Sequence, residues 1–188
     1  MEKTFNRDHI LIQIMYYVTV SSVLGFGTYS MLNRGYSASG IGILIAAADL
    51  LSIVINFIAS AYLDKSTRIN VFQMAIFIAG GALLAYAVNF LYTEPSFVLS
   101  IAYLLSFALN ASLAPLLDSV NTAFIKNGYE IHFGTGRAFG SLSYGLACLL
   151  FGFISRHADH RIILLFQVFF QAALILVLHL TDRHSVLP

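Results

Sequence analysis

The sequence predicts an all-α integral membrane protein, six transmembrane helices forming one bundle. Three observations carry this. Of 188 residues, 59% are hydrophobic and 10% are charged, against about 25% charged in an ordinary soluble domain. Six apolar stretches of about 20 residues or more run along the chain, the length an α-helix needs to cross ~30 Å of hydrocarbon. No stretch alternates apolar and polar residues as a barrel strand does, and helices then satisfy every backbone group inside lipid. The net charge of +1 brings no basic stripe and no expectation of nucleic acid as a partner. A single cysteine, Cys148, excludes an internal disulfide framework and a Cys-cluster metal site.

The first span covers about residues 10–32. Lys3 and Arg7 precede it as they would a signal peptide, but the run exceeds an h-region and no small-x-small site ends it, so it is read as retained. Asn33-Arg34-Gly35 closes it. The second, about 40–63, ends at Asp64-Lys65-Ser66-Thr67-Arg68. The third, about 69–92, stops at Thr93-Glu94-Pro95. The fourth, about 96–120, runs towards Lys126-Asn127-Gly128. The fifth, about 134–155, is followed by the polar stretch 156–161, and the sixth covers about 162–180. The six spans make one domain, 1–188.

Charge sets the expected orientation. With the N-terminus inside, Lys3, Arg7, Lys65, Arg68, Lys126 and Arg183 lie on the cytoplasmic side, against Arg34, Arg156 and Arg161 outside. That bias favours both termini in the cytoplasm, and the expected location is the plasma membrane.

Ionisable side chains inside a span cost roughly 2.5–3.5 kcal/mol on insertion scales and need a partner or a water-filled cavity. Asp49, Asp118 and Arg137 are such residues. Asp118 lies shortly before the turn near Gly128 and Arg137 shortly after it, at similar depth given ~1.5 Å per residue. One ion pair between adjacent helices is expected, either as part of a substrate or proton path or as a staple between the two helices. Asp49 has no evident partner. It is read either as a proton or substrate site or as a neutral acid hydrogen-bonded to a neighbour. The amides Gln13, Asn56, Gln73, Asn89, Asn110, Asn121, Gln167 and Gln171 add interior polarity, mostly as interhelical hydrogen bonds of about 0.6 kcal/mol each.

In the fifth span, Gly136 and Gly140 are four apart, as in close helix packing. Tyr144 follows Arg137 by two turns, where a cation and an aromatic ring on one stripe suit a polar, flat-faced ligand; packing with its hydroxyl satisfied is the other reading. His157-Ala158-Asp159-His160 is expected to be a solvated turn, without the ligand set of a metal site. No catalytic triad, Cys-His pair or P-loop is apparent, so no enzyme, metal or cofactor is expected.

On these residues the chain resembles the N-terminal half of the major facilitator superfamily. The segment Ser60-Ala61-Tyr62-Leu63-Asp64-Lys65-Ser66-Thr67-Arg68 is similar to its cytoplasmic loop signature G-x-L-[AS]-D-[RK]-x-G-R, with Ser60 and Thr67 in place of the glycines. Ala114-Pro115-Leu116-Leu117-Asp118 with Phe133-Gly134-x-x-Arg137-x-Phe139-Gly140 resembles the branch of oligosaccharide and nucleoside proton symporters that contains lactose permease. The resemblance implies proton-coupled transport of a small polar solute, sugar or nucleoside-like. Asp118 and Arg137 would bind it, Tyr144 would stack on it where that permease has Trp, and Asp64, Lys65 and Arg68 would form the cytoplasmic gate. It covers six of the family's usual twelve helices. The expected partners are therefore the solute, protons, lipid, and either a missing C-terminal half or a second six-helix chain. The alternatives are a non-transporting membrane assembly subunit and an inactive truncated product.

Overall fold

The structure, a computed structural model, describes residues 2–66, 69–126, 130 and 132–184. Seven α-helices carry the fold: α1 Glu2–Val20, α2 Gly27–Asn33, α3 Ala38–Lys65, α4 Val71–Leu91, α5 Phe97–Lys126, α6 Phe133–His157 and α7 Arg161–His184. A π-helical segment, Ser21–Gly25, joins α1 to α2. Among the described residues there is no strand. Helices α3 to α7 are each long and apolar enough to cross a membrane, and the bent pair at the N-terminus makes the sixth span. The fold is an all-α membrane bundle.

The first span is broken where a continuous helix over 10–32 was expected. It begins at Glu2 and bends by 41° between Phe5–Gly25 and Gly27–Asn33. Side chains explain the break. The hydroxyls of Thr19, Ser21 and Ser22 donate back to the carbonyls of Met15, Val18 and Thr19 at 3.0, 2.7 and 2.7 Å, competing with the regular ladder where it widens to π geometry. Phe26 then leaves helical geometry at φ −120°, ψ −1°. Gly27 lets the fourth span close in, since a Cβ there would stand 3.1 Å from the Tyr103 hydroxyl oxygen.

Other helix starts follow from capping. The Ser37 hydroxyl accepts from the Gly40 N–H at 3.1 Å and the Asn70 side chain from the Gln73 N–H at 2.9 Å, each satisfying an otherwise orphan donor. α4 is buried along Phe72, Ala75, Ala79, Ala82, Tyr86 and Asn89. These positions recur every three to four residues, one face of a helix. The alanines let α4 approach both α5 and α7 closely. The Gln171 side-chain N–H donates across that contact to the Ala79 carbonyl at 2.9 Å.

Neighbour relations reveal two three-helix units. The third span packs on the fourth and sixth, the first on the fifth and sixth, and the second on the fourth. Exchanging the first span for the fourth, the second for the fifth and the third for the sixth leaves this pattern unchanged, as expected of a duplicated three-helix unit. The second and fifth spans, α3 and α6, are equivalent peripheral helices in that arrangement. The third and sixth spans pack on each other, and the first and fourth each lie between one of that pair and a peripheral helix.

Candidate functional site

The first and fifth spans run parallel in a long contact. His9 lies on Gly136, Tyr17 on Gly140, and Gly25 beside Cys148, and the Tyr29 hydroxyl donates to the Ser155 carbonyl at 2.9 Å. A Cβ on Gly140 would stand 2.6 Å from the Tyr17 ring, and one on Gly136 would overlap the His9 imidazole. The two glycines therefore permit the close packing their spacing suggested. At the same end, Asn6 clamps the start of α6: its amide donates to the Glu130 carbonyl and its oxygen accepts from the His132 N–H, both at 2.8 Å.

Asp118 and Arg137 come together as an ion pair. Arg137 Nη1 lies 3.2 Å from Oδ2 and 3.3 Å from Oδ1 of Asp118. Yet α5 and α6 are not principal neighbours. Both reach α1, α6 by direct packing and α5 through the Tyr16 hydroxyl, which donates to the Asn110 carbonyl at 3.3 Å. The pair thus bridges two helices that are not principal packing neighbours. Its side chains are 46% exposed at Arg137 and 43% at Asp118, so it contributes about 1 kcal/mol or less to stability. A charge pair this open inside a span needs water, a polar ligand or another protein surface against it.

Pro115 lies in α5 one turn before Asp118 and cannot donate to the preceding turn, which loosens the helix there. The exposed Ser119 and Thr122 hydroxyls bond back to the Pro115 and Asp118 carbonyls at 2.9 and 3.1 Å. The Arg137 guanidinium also sits over the Phe133 ring, 5.5 Å from its centroid, a cation–π contact. His9 stacks on the same ring at 6.2 Å. It is 3% exposed, beside Asn121 and within the field of Asp118, and neither ring nitrogen makes a well-formed hydrogen bond. His9 precedes the apolar run, so hydropathy gives no sign of its burial.

Tyr144 is half-buried. Its ring packs against the main core, and its hydroxyl lies by Cys148 and close to Gly25 at the break in the first span. Asp49 is exposed on α3, and its carbonyl accepts from the Ser52 hydroxyl at 2.7 Å. Asp64 and Lys65 are exposed at the end of α3. Arg68 lies outside the described residues.

The two peripheral helices share a pattern. On α6 an exposed apolar stripe, Phe139, Leu142, Leu146, Leu149 and Phe153, runs beside a second stripe of Gly134, Arg137, Ser141 and Gly145. On α3 the apolar stripe is Ile43, Leu50, Val54, Phe57 and Ile58, beside Gly42, Ala46, Asp49, Asn56 and Ser60, a second stripe that the exposed Ile53 interrupts. Such adjacent stripes suit helices with one edge against lipid and the other against protein or water. The ion pair and Asp49 both lie on the polar side. A solute with hydroxyl or amide groups can accept from Arg137 and donate to Asp118 there.

The sequence model of the MFS_1 like family matches residues 11–185 of this chain. No curated protein and no solved structure matches it.

Proposed function

Because this chain belongs to the MFS_1 like family, of major facilitator relatives, we propose that it forms one half of a proton-coupled secondary transporter for a small polar organic solute, sugar or nucleoside-like. The observation that carries the reading is the half-exposed Asp118–Arg137 pair, which bridges two helices without stapling a packed interface. Solute hydroxyls hydrogen-bond to these charges, and Tyr144, two turns beyond Arg137 on the same helix, stacks on the solute. The small and polar stripes of α3 and α6 face a second six-helix half, supplied by the same gene product or another chain. Rocking of the two halves exposes the pair to either side of the membrane in turn. Asp49, on the α3 stripe, is a proton or substrate group at the far edge of that face. Asp64, Lys65 and Arg68 serve the cytoplasmic gate, and the termini are cytoplasmic in the plasma membrane.

The test is uptake of a panel of labelled sugars and nucleosides by cells expressing the complete transporter. Arg137→Ala and Asp118→Ala are expected to lower uptake at limiting solute by about 10- to 150-fold, the weight of one hydrogen bond to a charged group, at unchanged membrane level. Uptake unchanged in both variants would remove the pair from the solute site.

A further inference from the structure

At the opposite end of the bundle from His9, Arg34 follows α2 and is only 6% exposed. One of its donors, Nη2, reaches the Asn89 carbonyl at 2.6 Å, while its Nε is buried without a partner. Burial first, then the neighbouring Arg161 guanidinium, pulls its pKa below the ordinary value; an arginine nevertheless stays charged in proteins. Asp159 offers a weaker opposing field, and its carboxylate is taken by His160 at 3.0 Å and by the Arg161 N–H at 2.9 Å. A buried cation without a carboxylate partner is costly, by several kcal/mol.

Arg34 lines a cavity of about 10 Å³ between the bend of the first span and α4, α5 and α7. Ser30 and Tyr103 line it too; the Ser30 hydroxyl is buried without a hydrogen bond, and the Tyr103 hydroxyl has only a loose contact with Thr28. Ser22, Asn89, Ser106 and Gln167 complete its polar wall, and among the described residues no Asp or Glu contributes. Three under-satisfied groups, one of them cationic and the others able to donate, converge on a space for one particle. Water would fill the hydrogen bonds and leave the charge unanswered. Among common anions a halide is the smallest that would answer both.

We propose that this cavity is a halide site, in which a chloride ion held by Arg34, Ser30 and Tyr103 ties the bent half of the first span to α4, α5 and α7. The site is independent of the transport reading. It sits beside the π-helical segment, a local widening of the helix often found where a protein binds something.

The experiment uses the full chain purified in detergent, with thermal unfolding followed in sodium chloride, sodium bromide and sodium gluconate at one ionic strength, and crystals grown in bromide. Chloride and bromide are expected to raise the unfolding temperature saturably over gluconate, as a ligand binding only the folded state does, and bromide to give an anomalous peak beside Arg34 Nε. Ser30→Ala should raise the half-saturating chloride concentration about tenfold, and Arg34→Gln should abolish the response. Should Arg34→Gln not fold, Ser30→Ala and Tyr103→Phe carry the comparison. Equal unfolding temperatures in the three salts, or a bromide map without that peak, would assign the cavity to water and overturn the proposal.

Discussion

Replacing Gly136 by alanine tests the packing that holds α6 against the first span. The added Cβ would overlap the His9 imidazole, and that ring has little room to retreat: it is 3% exposed and stacked on Phe133. Overpacking of this kind costs about 1–3 kcal/mol, against a gain of about 1 kcal/mol from replacing glycine within a helix. The net loss of up to about 2 kcal/mol corresponds to a fall of up to about 8 °C in unfolding temperature for a chain of this length. Gly145→Ala is the control on the same helix, since nothing lies within 4 Å of a Cβ there. It keeps only the helix-propensity gain and should melt about 2–4 °C above wild type. The assay is far-UV circular dichroism of the purified protein in detergent during heating. A His9→Ala background makes room for the new methyl, so Gly136→Ala should then cost nothing, a coupling that a double-mutant cycle reads directly. If Gly136→Ala melts at or above Gly145→Ala, the close approach of His9 to α6 is wrong.

Three further outcomes follow from the same geometry. Arg137→Gln and Asp118→Asn should each shift the unfolding temperature by less than about 4 °C, because a pair this exposed contributes about 1 kcal/mol or less; a larger drop would make it a structural staple. In a Cys148→Ser background, Ser141→Cys should react with a membrane-impermeant maleimide and Leu142→Cys should not, because the two belong to different exposed stripes of α6; equal labelling would contradict that division. His160, in the turn before α7, has its pKa lowered by burial against an opposing effect of Asp159. The unfolded state then binds the proton more readily, so this residue's contribution to stability is complete above about pH 6.5 and is lost as pH falls through that value and below it. His160→Gln should flatten that part of the stability profile measured by thermal unfolding, and an unchanged profile would exclude His160 as a source of it.

The bundle was legible because each span is a long apolar run between charged or Gly/Pro breaks. The meeting of Asp118 and Arg137 was legible too, since a short connection places them at similar depth on successive helices. The break in the first span was not read, although Thr19, Ser21, Ser22, Gly25 and Gly27 carry its signal, because hydropathy averages over such residues. Arg34 looked like an ordinary loop charge. Its burial depends on the bend that turns α2 under α4 and α5, a tertiary event no local pattern encodes. Tyr144 shares a stripe with Arg137 in sequence, but its hydroxyl turns towards Gly25, because a glycine at the break leaves space there. His9 escaped notice for the converse reason. Polar and ahead of the apolar run, it is buried only because Gly136 admits it.

The central claim, that a polar solute crosses the membrane on the Asp118–Arg137 pair at the expense of protons, is tested most directly by gradient-driven accumulation. The complete transporter is reconstituted into proteoliposomes, a pH gradient acid outside is imposed, and labelled sugars and nucleosides are followed. The account predicts that at least one solute accumulates above its external concentration, that a protonophore abolishes the accumulation, and that Arg137→Ala lowers its initial rate at limiting solute by about 10- to 150-fold with the protein still correctly inserted. An initial rate unchanged by Arg137→Ala, or uptake that never exceeds equilibration with or without the gradient, would contradict it.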